Sequence, residues 1–287
     1  MRIADMYAAG APVYSFEFFP PHGPPGVTAL LRTLAELRAL EPSFVSVTYP
    51  LDRARRHLTL ELVARIEREL GLEAMAHLTC VNASRAEIHA ALERLRADGI
   101  ENVLALRGDA PAPEAITVPR EQWFPHAADL AAYVRQHFPF CVGGAAHPET
   151  HPEAADPASD LRFLRTKVEA GCEFLITNFF FTNSLYFDFV ARARAAGVTA
   201  PIVAGIMPVT SVAGIRRMAQ LNGSSLPAPL LERLAPVEGD SKAVEEIGIA
   251  WAREQCEDLV ARGAPGIHFY TLNRSTATRR IVSDLRA

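Results

Sequence analysis

The residues of this chain best suited to chemistry are polar groups set at the ends of short apolar runs. Glu17 is the sharpest of them. It lies within Ser15-Phe16-Glu17-Phe18-Phe19-Pro20-Pro21, and a carboxyl among phenylalanines is expected to have its pKa raised, because burial penalises the charged form. A carboxyl that keeps its proton near neutral pH can act as a general acid. The same carboxyl paired with a buried base would be structural, and the residues alone leave both readings open. Comparable polar ends follow other apolar runs: Thr48-Tyr49, His77-Leu78-Thr79, Arg107-Gly108-Asp109, His147-Pro148-Glu149-Thr150-His151, Thr177-Asn178 and Tyr270-Thr271-Leu272-Asn273-Arg274. Arg107-Gly108-Asp109 reads either as an exposed turn with an incidental ion pair or as a charge pair and bare backbone offered to a ligand. His77, His147 and His151 match neither a helical His-x-x-x-His pair nor a zinc cluster, so no metal is expected. Phe179-Phe180-Phe181 reads as core or rim packing. Cys80 has no evident base beside it in sequence and is expected to be inert.

These ends can form one site only if the elements that carry them converge. Short runs rich in Val, Ile and Phe predict strands near Val13–Phe18, Phe44–Thr48, Glu73–Thr79, Asn102–Arg107, Phe140–Ala145, Phe174–Asn178, Ile202–Ile206 and Gly266–Tyr270. Amphipathic stretches rich in Ala, Leu, Arg and Glu predict helices over Gly26–Leu40, Leu58–Leu70, Arg85–Asp98, Ala127–His137, Leu161–Ala170, Ser184–Ala196, Val212–Leu221 and Ala243–Arg262, with a last helix near Thr276–Leu285. Glycines follow several helical stretches, as helix ends with positive φ require, and Ser84 with Glu87 forms a capping box. Eight strands alternating with helices predict an α/β fold, a single (β/α)8 TIM barrel with a C-terminal helix, as one domain over residues 1–287. The competing doubly wound sheet lacks its Gly-x-Gly-x-x-Gly turn after the first strand. Gly143-Gly144, inside a strand pattern, predicts close backbone approach. Ala110–Phe124 and Asn222–Asp240 read as irregular stretches at the barrel mouth or edge. In such a barrel the C-terminal strand ends gather at one mouth, which is where the polar groups lie.

Composition narrows the class. The chain has 287 residues, 49% of them hydrophobic, enough for a substantial core. Its formal net charge of -4 shows no basic surplus for nucleic acid. No run approaches the roughly 20 apolar residues of a membrane span, and the N-terminus lacks a signal-peptide pattern, so a cytoplasmic protein is expected. Four scattered cysteines argue against a disulfide framework.

The ring of segments also carries a resemblance. Ser15–Pro21, Phe44–Tyr49, Ala76–Cys80, Ala105–Asp109, Pro148–Ala154 with Asp160 and Lys167, Ile176–Phe181, Gly205–Val209 and His268–Arg274 run in order along the chain, and together they resemble the catalytic domain of the methylenetetrahydrofolate reductase family. The resemblance implies FAD held across the strand ends, NADH or NADPH as electron donor, and a folate substrate, 5,10-methylenetetrahydrofolate, reduced to 5-methyltetrahydrofolate. Glu17 matches the family's general acid and Asp109 its aspartate beside flavin and folate. Thr48, His77, Leu106, Arg107, Gly108, Ala145, His151, Asp160 and Lys167 match flavin-binding positions. His126 and His147 stand on the flavin side where tyrosines are usual. Asn178, one methylene shorter than the family's glutamine, Met218 in place of a phenylalanine, Tyr270 and Arg274 match substrate-side positions, and Arg274 would meet the folate's glutamate carboxylate. Further departures are Pro50-Leu51-Asp52-Arg53 for a glycine-rich loop, Thr166 for an arginine and Phe163 for an asparagine. They point to altered flavin affinity, donor preference or working direction. The resemblance further implies a homo-oligomer, and no fused regulatory domain is expected. Two other readings stay open: a flavin-free folate-binding or methyltransfer-partner barrel, and an unrelated barrel lyase using Glu17 as acid.

Overall fold

The computed structural model describes residues 1–21 and 23–286. In chain order it holds helix α1 (Ile3–Met6), strand β1 (Val13–Phe18), α2 (Gly23–Leu37), β2 (Phe44–Val47), α3 (Arg56–Arg65), β3 (Ala74–Thr79), α4 (Arg85–Ala97), β4 (Asn102–Leu106), α5 (Ala127–His137), β5 (Cys141–Ala146), α6 (Pro157–Glu169), β6 (Phe174–Phe179), α7 (Asn183–Ala195), β7 (Ile202–Ile206), α8 (Val212–Asn222), α9 (Ala228–Leu234), α10 (Ser241–Ala261), β8 (Gly266–Tyr270) and α11 (Ser275–Arg286). The strands close in sequence order into a parallel barrel, β8 pairing back onto β1 with Glu17 opposite Tyr270. The (β/α)8 expectation therefore holds, including the C-terminal helix.

Strand alternation divides the side chains into two layers. Tyr14, Phe16, Phe18, Val45, Val47, Ala76, Leu78, Val103, Ala105, Ile267 and Phe269 pack outward with helix residues such as Leu34, Leu92, Leu130 and Ile281. Val13, Phe44, Met75, Leu104, Cys141, Phe174, Ile176 and Val203 point inward and fill the lower lumen, with Ile3 of α1 packed among them. Tyr7, just after α1, lays its ring 5.7 Å from Phe174. Gly143 makes room for this filling, since a Cβ there would meet the Phe174 ring at 2.5 Å, and Gly144 makes room on the outer face, where one would meet Cys172 Sγ at 3.0 Å.

Helix bounds differ from the sequence expectation where capping residues extend them. α6 starts at Pro157 rather than Leu161, because Asp156 caps it and accepts from Ser159 N at 2.7 Å, while Pro157 costs nothing at a first helical position. Asn222–Asp240 is not irregular: it contains α9, entered at Pro227, and a 3-10 turn over Ala235–Val237. Ala110–Phe124 carries two 3-10 turns, Pro113–Ala115 and Arg120–Gln122. All four cysteines are free and buried.

Candidate active site

Above the apolar plug, the inward positions of β1, β2, β3 and β8 become polar. Ser15, Ser46, His77 and His268 are buried there, and Glu17 is only 8% exposed. One carboxylate oxygen of Glu17, Oε2, lies 3.5 Å from His268 Nε2 and 3.6 Å from His77 Nε2. The other ring nitrogen of His268, Nδ1, is 2.8 Å from Ser15 Oγ. This corrects the expected apolar shell. Phe16 and Phe18 adjoin Glu17 in sequence, but alternation sends them to the outer layer, and Phe19 is 42% exposed. The carboxyl faces two imidazoles instead, an arrangement in which a proton can be held or passed among buried groups. Thr271 Oγ donates to the Glu17 carbonyl at 2.6 Å, and Asn273 brackets Phe19 through both its N–H and C=O. The β8 loop thus pins the end of β1.

His77 is held neutral: burial pushes its pKa down to about 4, against the opposing pull of Glu17. Its Nε2 is buried without a hydrogen-bond partner among the described residues, an arrangement a bound ligand would satisfy. Tyr270 OH donates to Thr177 O at 2.8 Å, and burial raises its pKa well above the usual tyrosine value. The depressed His77 value sets a pH dependence of stability. An unfolded histidine takes up a proton near pH 6.5, whereas the folded one resists until about pH 4, so stability is lost as pH falls through that window and levels off below it. At about 1.4 kcal/mol per pH unit, His77 is expected to make the protein about 2 kcal/mol less stable at pH 5 than at pH 7. Urea unfolding at both pH values checks this, since His77→Gln should remove that share of the difference. An unchanged difference would assign the pH dependence elsewhere.

The opposite side of the mouth gathers most of the flavin-side positions. Gly108 has φ +86° and a Cβ there would sit 3.0 Å from Thr79 Cβ, so both conformation and space demand glycine. The Arg107 guanidinium does not pair with Asp109; it forms a two-pronged bond with Glu153 at 2.6 and 2.7 Å, which holds the Glu153 carboxyl below its usual pKa. Asp109 is exposed beside it. Glu153 N donates to His151 Nδ1 at 3.1 Å and His151 N to Asp160 Oδ2 at 3.0 Å. Lys167 Nζ donates to Ala145 O at 2.8 Å, its pKa lowered by burial. His147 packs edge-on to His151, ring centres 4.5 Å apart, and burial followed by Lys167 lowers its pKa to about 3. Leu106 ends β4 among the lumen residues. The barrel thus unites Leu106, Arg107, Gly108, Ala145, His147, His151, Asp160 and Lys167. No hydrogen bond joins Thr48 or His126 to this group among the described residues. Thr48 N donates to Phe18 O and Thr48 O accepts from Thr59; His126 is exposed at the start of α5, its carbonyl near Cys80 Sγ. Burial pushes the Cys80 thiol up to about 12, consistent with an inert cysteine.

On the substrate side, Asn178 stands where the pairing of β6 with β7 shifts register between Ile176 and Phe179, as bulges re-aim side chains near sites. It donates to Asn222 at the end of α8. Met218 and Tyr270 pack against one apolar cluster that includes Phe179 and Met207, while Arg274 is exposed on the β8 loop. Phe179, Phe180 and Phe181 are all buried, as packing residues. Ser15, His268, Glu153 and Asn222 are site residues that the sequence did not single out. The first two carried a signal, since each lies two residues from a chosen strand residue and so shares its face.

A closed parallel barrel thus gathers a carboxyl–imidazole cluster and a glycine-bared rim bearing Lys167 and the Arg107–Glu153 pair at its C-terminal mouth, the end at which barrels of this class carry their sites. The family model described as methylenetetrahydrofolate reductase matches residues 2–286. Among curated relatives, "Methylenetetrahydrofolate reductase (NADH) 1" of Arabidopsis thaliana is 35% identical, covering 99% of this chain and 50% of its own. "Methylenetetrahydrofolate reductase 2" of Saccharomyces cerevisiae is 37% identical, covering 96% and 47%. "Probable methylenetetrahydrofolate reductase (NADPH)" of Caenorhabditis elegans is 34% identical, covering 95% and 42%. The chain belongs to the methylenetetrahydrofolate reductase family, and it spans about half the length of these relatives. A solved protein from Clostridium thermocellum, described as binding two copies of 5-methyl-5,6,7,8-tetrahydrofolic acid, shares the fold at TM-score 0.67 and 15% identity, covering 100% of this chain and 99% of that one. A dihydropteroate synthase from Xanthomonas albilineans does so at 0.52 and 16%, covering 96% and 92%.

Proposed function

We propose that this protein interconverts 5,10-methylenetetrahydrofolate and 5-methyltetrahydrofolate, using FAD and a nicotinamide as electron donor or acceptor. The observation that carries this reading is the position of Glu17, buried in the lumen between His77 and His268 and opening on the same mouth as the Gly108 and Lys167 side. Family membership supports the substrate class, and the names of the relatives above support a nicotinamide, NADH in one and NADPH in another.

The residues present fit a flavin. The unpartnered Nε2 of neutral His77, the bare backbone at Gly108 and the buried cation of Lys167 supply donors and a flat approach at one rim. His77, Gly108, His151, Lys167 and, once released from Glu153, Arg107 would hold it, with Thr48 and His126 at the edge. When bound, FAD supplies two-electron transfer between nicotinamide and folate. The chain's own part is to bind, orient and manage protons. Glu17 delivers a proton to the folate nitrogen whose release opens the five-membered ring, with His268, bonded in turn to Ser15, beside the carboxyl to return it. Asp109 places a carboxylate near the cationic iminium carbon, which favours it electrostatically. Asn178 and Tyr270 orient the pterin end, and Arg274 pairs with the glutamate carboxylate.

A visible spectrum of the purified protein tests the reading. Flavin absorbance that is bleached by NADH or NADPH and restored by 5,10-methylenetetrahydrofolate is expected. A colourless protein that cannot be reconstituted with FAD yet binds folate would replace it with the flavin-free reading.

A further inference from the structure

The bond between Asn178 and Asn222 belongs to a longer chain whose direction is fixed at a main-chain carbonyl. Ser224 Oγ donates to Phe179 O at 2.9 Å. A hydroxyl has one proton to give, so its remaining capacity is to accept, and it accepts from Asn222 Nδ2 at 2.5 Å. The same Nδ2 also points at Phe179 O, 3.4 Å away. Two acceptors therefore hold the amino end of the Asn222 amide, and its carbonyl end must face Asn178. Asn178 meets it with its own amino end, Nδ2. What remains is Asn178 Oδ1, an acceptor. The loop that carries the relay is anchored separately, because Ser225 N donates to both Glu149 carboxylate oxygens at 3.1 and 3.0 Å.

Resting on the folate reading above, we infer that Asn222 is a specificity-determining residue: with Ser224 it fixes the amide of Asn178 so that Oδ1 faces the ligand and selects a pterin edge that presents N–H donors. An unrestrained asparagine would rotate its amide and offer either end. The short side chain of Asn178 gains from Asn222 the fixed orientation that its own single methylene does not impose. The relay acts on ligand binding through Asn178; Asn222 itself is a positioning residue.

The test is binding of 5-methyltetrahydrofolate to the oxidised, flavin-loaded protein by calorimetry. Asn222→Ala removes the acceptor that Asn178 Nδ2 needs, and the Kd is expected to rise about tenfold, the scale of one lost oriented hydrogen bond. Asn222→Asp keeps a carboxylate oxygen facing Asn178 Nδ2, while its other oxygen accepts from Ser224, whose hydroxyl can turn; its Kd should stay within about threefold of the wild type. Asn222→Leu restores bulk without an acceptor and should behave like Asn222→Ala, which also covers failure of either variant to fold. The relay is overturned if Asn222→Ala and Asn222→Leu bind as the wild type does, or if Asn222→Asp binds as weakly as they do. Failure of the wild type itself to bind 5-methyltetrahydrofolate would overturn the folate reading instead, so the two outcomes are separable.

Discussion

Glu17→Gln is expected to lower the rate of methylenetetrahydrofolate reduction by at least about 10²-fold, the scale of a lost general acid, while NADH still bleaches the flavin. Glutamine keeps the size of the side chain and can still face the two imidazoles, but it has no acidic proton to deliver. The loss should therefore fall on the step that needs ring opening. The setting strengthens this expectation. Glu17 Oε2 has His268 and His77 at 3.5 and 3.6 Å, and His268 in turn has Ser15 at 2.8 Å. A proton leaving the carboxyl can be restored from the buried His268–Ser15 side. Stopped-flow measurement of each half-reaction separates the outcomes. Folate reduction that survives in Glu17→Gln would remove Glu17 from the acid role and leave it as a structural partner of the histidines. Loss of both half-reactions together would show that the substitution disturbs the site rather than the proton.

The barrel and its mouth were legible in the sequence because they rest on short-range periodicity. Each strand announces itself in a short run, and alternation along β1 is enough to put Ser15 and Glu17 on one face. The company Glu17 keeps was not legible, since His268 lies 251 positions away and reaches the carboxyl only through closure of β8 on β1. Adjacency in sequence even misled: Phe16 and Phe18 suggested an apolar shell, yet neighbours on a strand face opposite ways. Arg107 and Asp109 failed as a pair for a similar reason, because Gly108 turns the chain between them and Glu153 offers both carboxylate oxygens. Asn222 was hidden at the end of a helix, in a stretch whose polar and proline content read as loop. Its role comes from Phe179, 43 residues earlier.

Gly205→Ala is expected to destabilise the protein by about 3 kcal/mol or more and to weaken folate binding with it. Gly205 lies on β7 opposite the register shift in β6, paired with Phe179. Its N–H donates to Thr177 Oγ at 2.8 Å. A Cβ there would come within 2.1 Å of Thr177 O and 2.8 Å of Tyr270 Cε2, and the first of these is main chain, which cannot swing aside as a side chain would. The same Thr177 carbonyl accepts from Tyr270 OH. Relief of the clash must therefore move the β6 backbone that bears Asn178 or expel the Tyr270 ring, and both are substrate-side elements. A loss of that size corresponds to a drop in Tm of about 5 °C for a chain of this length. Thermal unfolding, together with calorimetry for 5-methyltetrahydrofolate, checks both halves. A variant that melts with the wild type would refute the packing at Gly205. One that melts early yet binds folate unchanged would show that the pairing of β6 with β7 stabilises the barrel without setting the site, and Tyr270 and Asn178 would then have to be held from the α8 side.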